Sequence, residues 1–172
     1  MISLIPFDKT GFEQLILWAA DEETLMQFAG PSFNFPLTAS QLELSLADKK
    51  RLAYQVVHMP GQTIIGHAEI YLPGEATIVL NRILIGATAF RGRGIGLQVV
   101  KQLLQLAFNL PGIEEAILNV FDRNLPAIKC YEKAGFRISK DKTKTRQVNN
   151  QTWTALNMYL DKRTWENVRE NT

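Results

Sequence analysis

The hydrophobic pattern changes period several times along the chain, and each change marks an element. Residues 2–6 are a short apolar run stopped by Pro6, which reads as a first strand. Over residues 9–29 the apolar positions Phe12, Leu15, Ile16, Ala19 and Ala20 return at helical spacing and predict one amphipathic helix. Gly30, Pro31, Asn34 and Pro36 then mark a loop. A second helix follows from Thr38, read as its N-cap, through Leu42, Leu44 and Leu46 to Asp48. Three strands come next, at residues 51–58, 63–71 and 76–85. The turns Met59-Pro60-Gly61-Gln62 and Pro73-Gly74-Glu75 separate them, which predicts an antiparallel meander.

The strongest helix signal begins after Gly96. Val99, Val100, Leu103, Leu104 and Ala107 fill one side, and Gln98, Lys101, Gln102, Gln105 and Asn109 the other. Pro111-Gly112 stops it. Residues 115–121 are a near-continuous apolar strand, as expected when both faces are covered. A short helix starts at Asn124, carries Pro126 in its first turn and ends at Gly135 as a C′ glycine. Strands at 136–147 and 152–161 flank a turn at Asn149-Asn150, and the polar tail, 162–172, reads as a short surface helix docked through Trp165. The expected fold is α/β of the α+β kind, a single domain over residues 1–172. Its sheet is mixed, mostly antiparallel, of about seven strands flanked by helices in the order βαα-βββ-α-β-α-ββ.

Composition narrows the class. The 172 residues are 46% hydrophobic and 21% charged with a net charge of +2, which suits one globular core and excludes a disordered chain. So weak a charge argues against a nucleic-acid partner, whose binding rests on neutralised phosphates. Cys130 is the single cysteine, so no disulfide framework exists and a reducing compartment is implied. With two histidines and that one cysteine there is no ligand cluster for a metal. No apolar run approaches the ~18 residues of a membrane span, and the opening MISLIPFDKTGFEQL lacks the basic-then-apolar pattern of a secretory signal. The expectation is a cytoplasmic protein without membrane or nucleic-acid partners, as a monomer or homodimer.

Chemistry concentrates in Arg91-Gly92-Arg93-Gly94-Ile95-Gly96, between a strand and a helix. Glycines let backbone approach a ligand closely, and a helix N-terminus offers unpaired N–H groups with partial positive charge. Together they suit a phosphate or pyrophosphate, with Arg91 and Arg93 adding full charge. The dinucleotide fingerprint fails because its third glycine or alanine position is Leu97, and no GxxxxGK string exists for a nucleotide P-loop. A glycine turn that merely opens a helix is the alternative at this point.

A second segment, LNVFDRNLPAIKCYEKAGF (118–136), follows one strand and one helix later. The two together resemble the GNAT superfamily of acetyl-CoA-dependent N-acetyltransferases. Arg91, Gly94 and Gly96 match its signature Arg/Gln-x-x-Gly-x-Gly/Ala. Asn124, Ala127, Tyr131, Glu132, Lys133, Gly135 and Phe136 match its Asn-x-x-Ala and Tyr-Glu-Lys-x-Gly-Phe pattern. The element order also agrees, so the resemblance covers nearly the whole chain. The ending NNQTWTALNMYL, with Trp153, Leu156 and Met158, looks like the last strand of the branch that acetylates ribosomal-protein N-termini; core packing would produce the same pattern.

The resemblance implies acetyl-CoA as co-substrate and no metal. Its pyrophosphate would lie at Arg91, Gly92, Arg93, Gly94, Ile95 and Gly96. Its arm would pair with the backbone of Ile83, Leu84 and Ile85, like an added strand, in the gap toward residues 117–120. Asn124 would contact the cofactor and Tyr131 would protonate the departing thiolate. On a helix these two share a face about 10 Å apart along the axis. An N-cap for Asn124 and a packed aromatic for Tyr131 are the structural alternatives.

Attack requires a neutral amine. A lysine amine is only about 0.04% neutral at pH 7, against roughly 14% for an α-amine. Members of the family often place a glutamate on the central strands as base, but ATIVLNRILIG contains no carboxylate. Glu69, which alternation puts on one face with His67 and Tyr71, is the candidate base, with a salt-bridged strand residue as its alternative. The implied acceptor is a protein N-terminal α-amine or a small amine. The alternatives are a polyamine or aminoglycoside-like substrate, for which Asp21-Glu22-Glu23 would supply attraction, or a non-catalytic acyl-CoA-binding regulator. Lys140, Lys142, Lys144 and Arg146 occupy alternate strand positions. This basic stripe is expected to protect a sheet edge, or else to attract an acidic partner.

Overall fold

The computed structural model describes residues 1–170. Its strands are β1 (Ile2–Pro6), β2 (Arg51–His58), β3 (Thr63–Gly74), β4 (Thr77–Ile85), β5 (Glu115–Phe121), β6 (Arg137–Val148) and β7 (Gln151–Asp161). They form one seven-stranded sheet in the order β1-β2-β3-β4-β5-β7-β6. The mixed, mostly antiparallel sheet and its meander are as the sequence predicts. Among the described residues one pairing is parallel, β4 to β5, and only over Thr77–Val79 against Glu115–Ile117. Past Val79 the two strands diverge while β5 stays paired along its whole length with β7.

The single helix expected over 9–29 is instead two, α1 (Phe12–Trp18) and α2 (Glu22–Ala29). Asp21 explains the break. Its backbone is extended at φ −144°, and its Oδ1 accepts a hydrogen bond from the Thr24 N–H at 2.7 Å. A short carboxylate that caps a new helix competes with continuing the old one. Thr38 caps α3 (Ala39–Ala47), accepting from the Gln41 N–H. The remaining helices are α4 (Ile95–Phe108), α5 (Leu125–Lys133) and α6 (Lys162–Glu170). In α6, Trp165 is buried with its ring 6.5 Å from that of Phe108, while the last two residues of the expected tail helix, Asn171 and Thr172, lie outside the described residues. No helix among the described residues is long and apolar enough to cross a membrane.

Alternation along the strands feeds two cores. Leu52, Tyr54 and Val56 of β2 join Ile70, Ile78 and Leu118 beneath Val99, Leu103 and Leu104 of α4. Ala53, between them, turns to the other face, where Phe12, Leu15, Leu25, Phe28 and Leu42 of α1–α3 form the second core. Gly86, just past β4, seats α1 against the sheet, because a Cβ there would run into the Trp18 indole. Gly86→Ala is therefore expected to cost about 1–3 kcal/mol through forced displacement. Thermal unfolding checks this, and an unchanged Tm would show that the indole yields freely.

The basic stripe on β6 is not continuous. β6 does form the sheet edge, but its register against β7 slips between Ile138 and Thr143, so Lys140 and Lys142 sit in the irregular stretch. Lys144 and Arg146 lie in the regular ladder, opposite Ala155 and Trp153.

Candidate active site

Past the end of the β4–β5 pairing, a cavity of about 830 Å³ opens between the end of β4, the loop before α4 and α5. Ile83, Leu84 and Ile85 line it from the unpaired side of β4. Arg91, Gly92, Gly94, Ile95 and Gly96 line it from the loop and the start of α4, and Asn124, Cys130 and Tyr131 from α5. Of the residues that the resemblance assigned to the co-substrate, all but Arg93 line this cavity, and so does Tyr131, but not Glu69, the candidate base. Arg93 is exposed and off the cavity wall.

The loop has the geometry of an anion cradle. Gly92 and Gly94 take φ of +72° and +75°, left-handed values that favour glycine. Gly94 opens α4, whose first N–H groups at Gly96 and Leu97 have no partner among the described residues. Arg91 works partly through the backbone rather than as a free charge. Its Nε donates to the Ile85 carbonyl at 2.7 Å and its Nη2 to the Gly86 carbonyl at 3.3 Å, so it ties the loop to the end of β4. Exposed Lys129 and Lys133 add charge at the rim. A Cβ on Gly96 would stand 3.6 Å from Cys130 Sγ, which places α4 close against α5. Burial pushes the Cys130 thiol up, which disfavours the thiolate that a nucleophile needs.

A second cavity, of about 280 Å³, lies on the other side of the same opening. Gln27, Phe28, Ile83, Asn124, Ala127 and Tyr131 line both. Tyr131 is half-buried, edge-on to Phe136 with ring centroids 6.1 Å apart, and burial pushes its phenol above the ordinary range. Asn124 is the N-cap of α5, its Oδ1 accepting from the Ala127 N–H at 3.3 Å, and its side chain also fronts both cavities.

Glu69 lies elsewhere. It is 3% exposed and lines neither cavity. Its carboxylate accepts from Arg82 Nη1 at 3.1 Å and Arg51 Nη1 at 3.2 Å, and bonds His67 Nε2 at 3.0 Å. Burial by itself would raise its pKa. The His67 hydrogen bond and the charges of His67, Arg82 and Arg51 outweigh it and hold the carboxyl at about 2. So acidic and enclosed a group is a weak base and a strong anchor. Of the two readings open in the sequence, the geometry fits the salt-bridged strand residue.

The partner that sequence reasoning missed is Arg82. It sits at the break in β3–β4 register with φ +46°, buried, its guanidinium 3.9 Å from the Phe33 ring centroid and bonded to Ser32 and Ser45. The signal was the polar pair Asn81-Arg82 interrupting an apolar strand, which marks a bulge. Two further expectations resolve into structure. Asp21 caps α2, Glu23 accepts from Asn149, and none of Asp21, Glu22 and Glu23 lines a cavity. Trp153 packs edge-on to Phe121 at 5.1 Å and Met158 is fully buried, so the C-terminal strand pattern is core packing.

Comparison with known proteins agrees with this fold. Residues 17–136 match the acetyltransferase (GNAT) family. Over 57 residues the chain is 39% identical to an aminoglycoside N(6')-acetyltransferase type 1 of Klebsiella pneumoniae, a stretch covering 33% of this chain and only 28% of that relative's length. The structure is similar to that of a spermidine N-acetyltransferase from Vibrio cholerae in complex with CoA and spermine. That likeness has a TM-score of 0.80 at 17% identity over 96% of this chain and 98% of the other. It is also similar to an aminoglycoside acetyltransferase, AAC(6')-Ib, in complex with coenzyme A and kanamycin, with a TM-score of 0.74 at 22% identity over 98% and 99%. At those identities the two structures establish the shared fold.

Proposed function

This chain belongs to the acetyltransferase (GNAT) family, and from that premise we propose that it transfers an acetyl group from acetyl-CoA to the primary amine of a small molecule. The observation that carries the reading is the meeting of the two cavities at Tyr131 and Asn124. The larger fits the co-substrate, since left-handed glycines, a helix N-terminus and the cations Arg91, Lys129 and Lys133 surround it. What acetyl-CoA supplies there is an acetyl thioester open to direct attack by a neutral amine.

The chain's own residues do the rest. The N–H groups at the start of α4 hold phosphate oxygens, and the free edge of β4 at Ile83, Leu84 and Ile85 orients the arm by backbone hydrogen bonds. Tyr131 keeps its proton through neutral pH and gives it to the sulfur as the carbon–sulfur bond breaks. Among the described residues no Asp, Glu or His lines either cavity, so the amine proton leaves to solvent. Glu69 acts as a positioning residue, holding Arg82 in the bulge that turns β4 away from β5.

A small-molecule acceptor suits a cavity of about 280 Å³, at the low end of ligand sites. The aminoglycoside- and spermidine-acetylating relatives support the same class over a protein N-terminus. The test is free-thiol release from acetyl-CoA with small primary amines and, separately, with peptides bearing free N-termini. Release with small amines is the expected result. Release with peptides alone would return the reading to protein N-termini, and cofactor binding without release in either arm would leave the regulator.

A further inference from the structure

The smaller cavity carries an unbalanced positive charge. Lys144 and Arg146 are two apart on β6, share a face and both line it, together with Arg82. Glu69 neutralises Arg82, but the ion pairs among the described residues include neither Lys144 nor Arg146. Among the described residues no Asp or Glu lines the wall. Arg82, 4% exposed, also has its Nε without a hydrogen-bond partner. A buried donor in that state is costly unless something accepts from it. Edge protection accounts for charge on β6, but it does not require two cations, one exposed and one half-buried, to front a cavity beside Tyr131.

Resting on the small-amine reading above, we propose that the acceptor is an amine whose far end is an anion, a carboxylate or phosphate that docks on Lys144 and Arg146. The amine then lies toward Tyr131, where the two cavities meet. A polycation entering the same space would meet two positive charges without an anionic partner, the opposite of what recognition of a polyamine requires.

Four acceptors that differ only at the far end test this: 5-aminopentanoate, 4-aminobutyl phosphate, neutral pentylamine and cationic cadaverine. With thiol release as readout, kcat/KM for at least one anion should exceed that for cadaverine by about tenfold or more, with pentylamine between. In the double variant Lys144→Glu, Arg146→Glu the order should invert. Calorimetric acetyl-CoA affinity unchanged from the native protein shows that the variant is folded. Cadaverine ahead in the native protein, equal rates for all four, or an order unmoved by charge reversal would each overturn the anionic acceptor and leave a small-amine acetyltransferase standing. Silence with all four would end both readings.

Discussion

Tyr131→Phe is expected to lower kcat by about 10²–10⁴-fold, the usual contribution of a positioned proton donor. The substitution keeps the ring that packs on Phe136 and removes only the hydroxyl at the junction of the two cavities. Acetyl-CoA affinity and Tm should therefore stay near the native values while turnover collapses. Burial raises the phenol above its ordinary value, so this proton is held through neutral pH. Steady-state kinetics with calorimetry of cofactor binding separate the two effects. A variant with native turnover would reduce Tyr131 to a packing residue and remove the acid from the mechanism.

The second large effect falls on stability. Glu69→Ala is expected to destabilise the fold by about 3–5 kcal/mol, because it leaves the buried Arg82 guanidinium without its anion. The same carboxylate makes stability depend on acid. Its folded pKa of about 2 lies below the ordinary glutamate value near 4.3, so its contribution is complete above that ordinary value and disappears as pH falls through about 2. Denaturant unfolding from pH 7 down to pH 2 should show a loss below about pH 4.5 that is flattened in Glu69→Gln. Matching pH slopes in the two proteins would show that the carboxylate is not held as described. Since the same contact fixes the bulge at Arg82, Glu69→Gln should also lower kcat/KM without changing the pH at which the amine titrates.

Much of this was legible in local pattern. The turn residues of the meander, the apolar face of α4, the proline–glycine bounds of α5 and the paired motifs around Gly94 and Tyr131 each involve neighbours within a few turns of chain, where periodicity and cap chemistry act directly. The split of residues 9–29 was nearly legible, since Asp21 is a good cap, but the apolar spacing continued through it. What no local pattern holds is which charges meet. Glu69 reads as a candidate base because alternation shows only its face. Arg82 and Arg51, 13 and 18 positions away, decide that it is an anchor.

By itself, the sequence determined the class of sheet, the order of its elements, the glycine turn that opens α4 and the tyrosine on α5, since these depend on residue type at short spacing. Tertiary structure decided how many β4–β5 hydrogen bonds form before the strands part, which opens the cleft. It also decided that Lys144 and Arg146 front the smaller cavity while Lys140 and Lys142 fall in the irregular stretch of β6. The reason is physical. Covalent neighbours set backbone preference, but charge and burial depend on groups brought together through space, and only the folded sheet sets those distances.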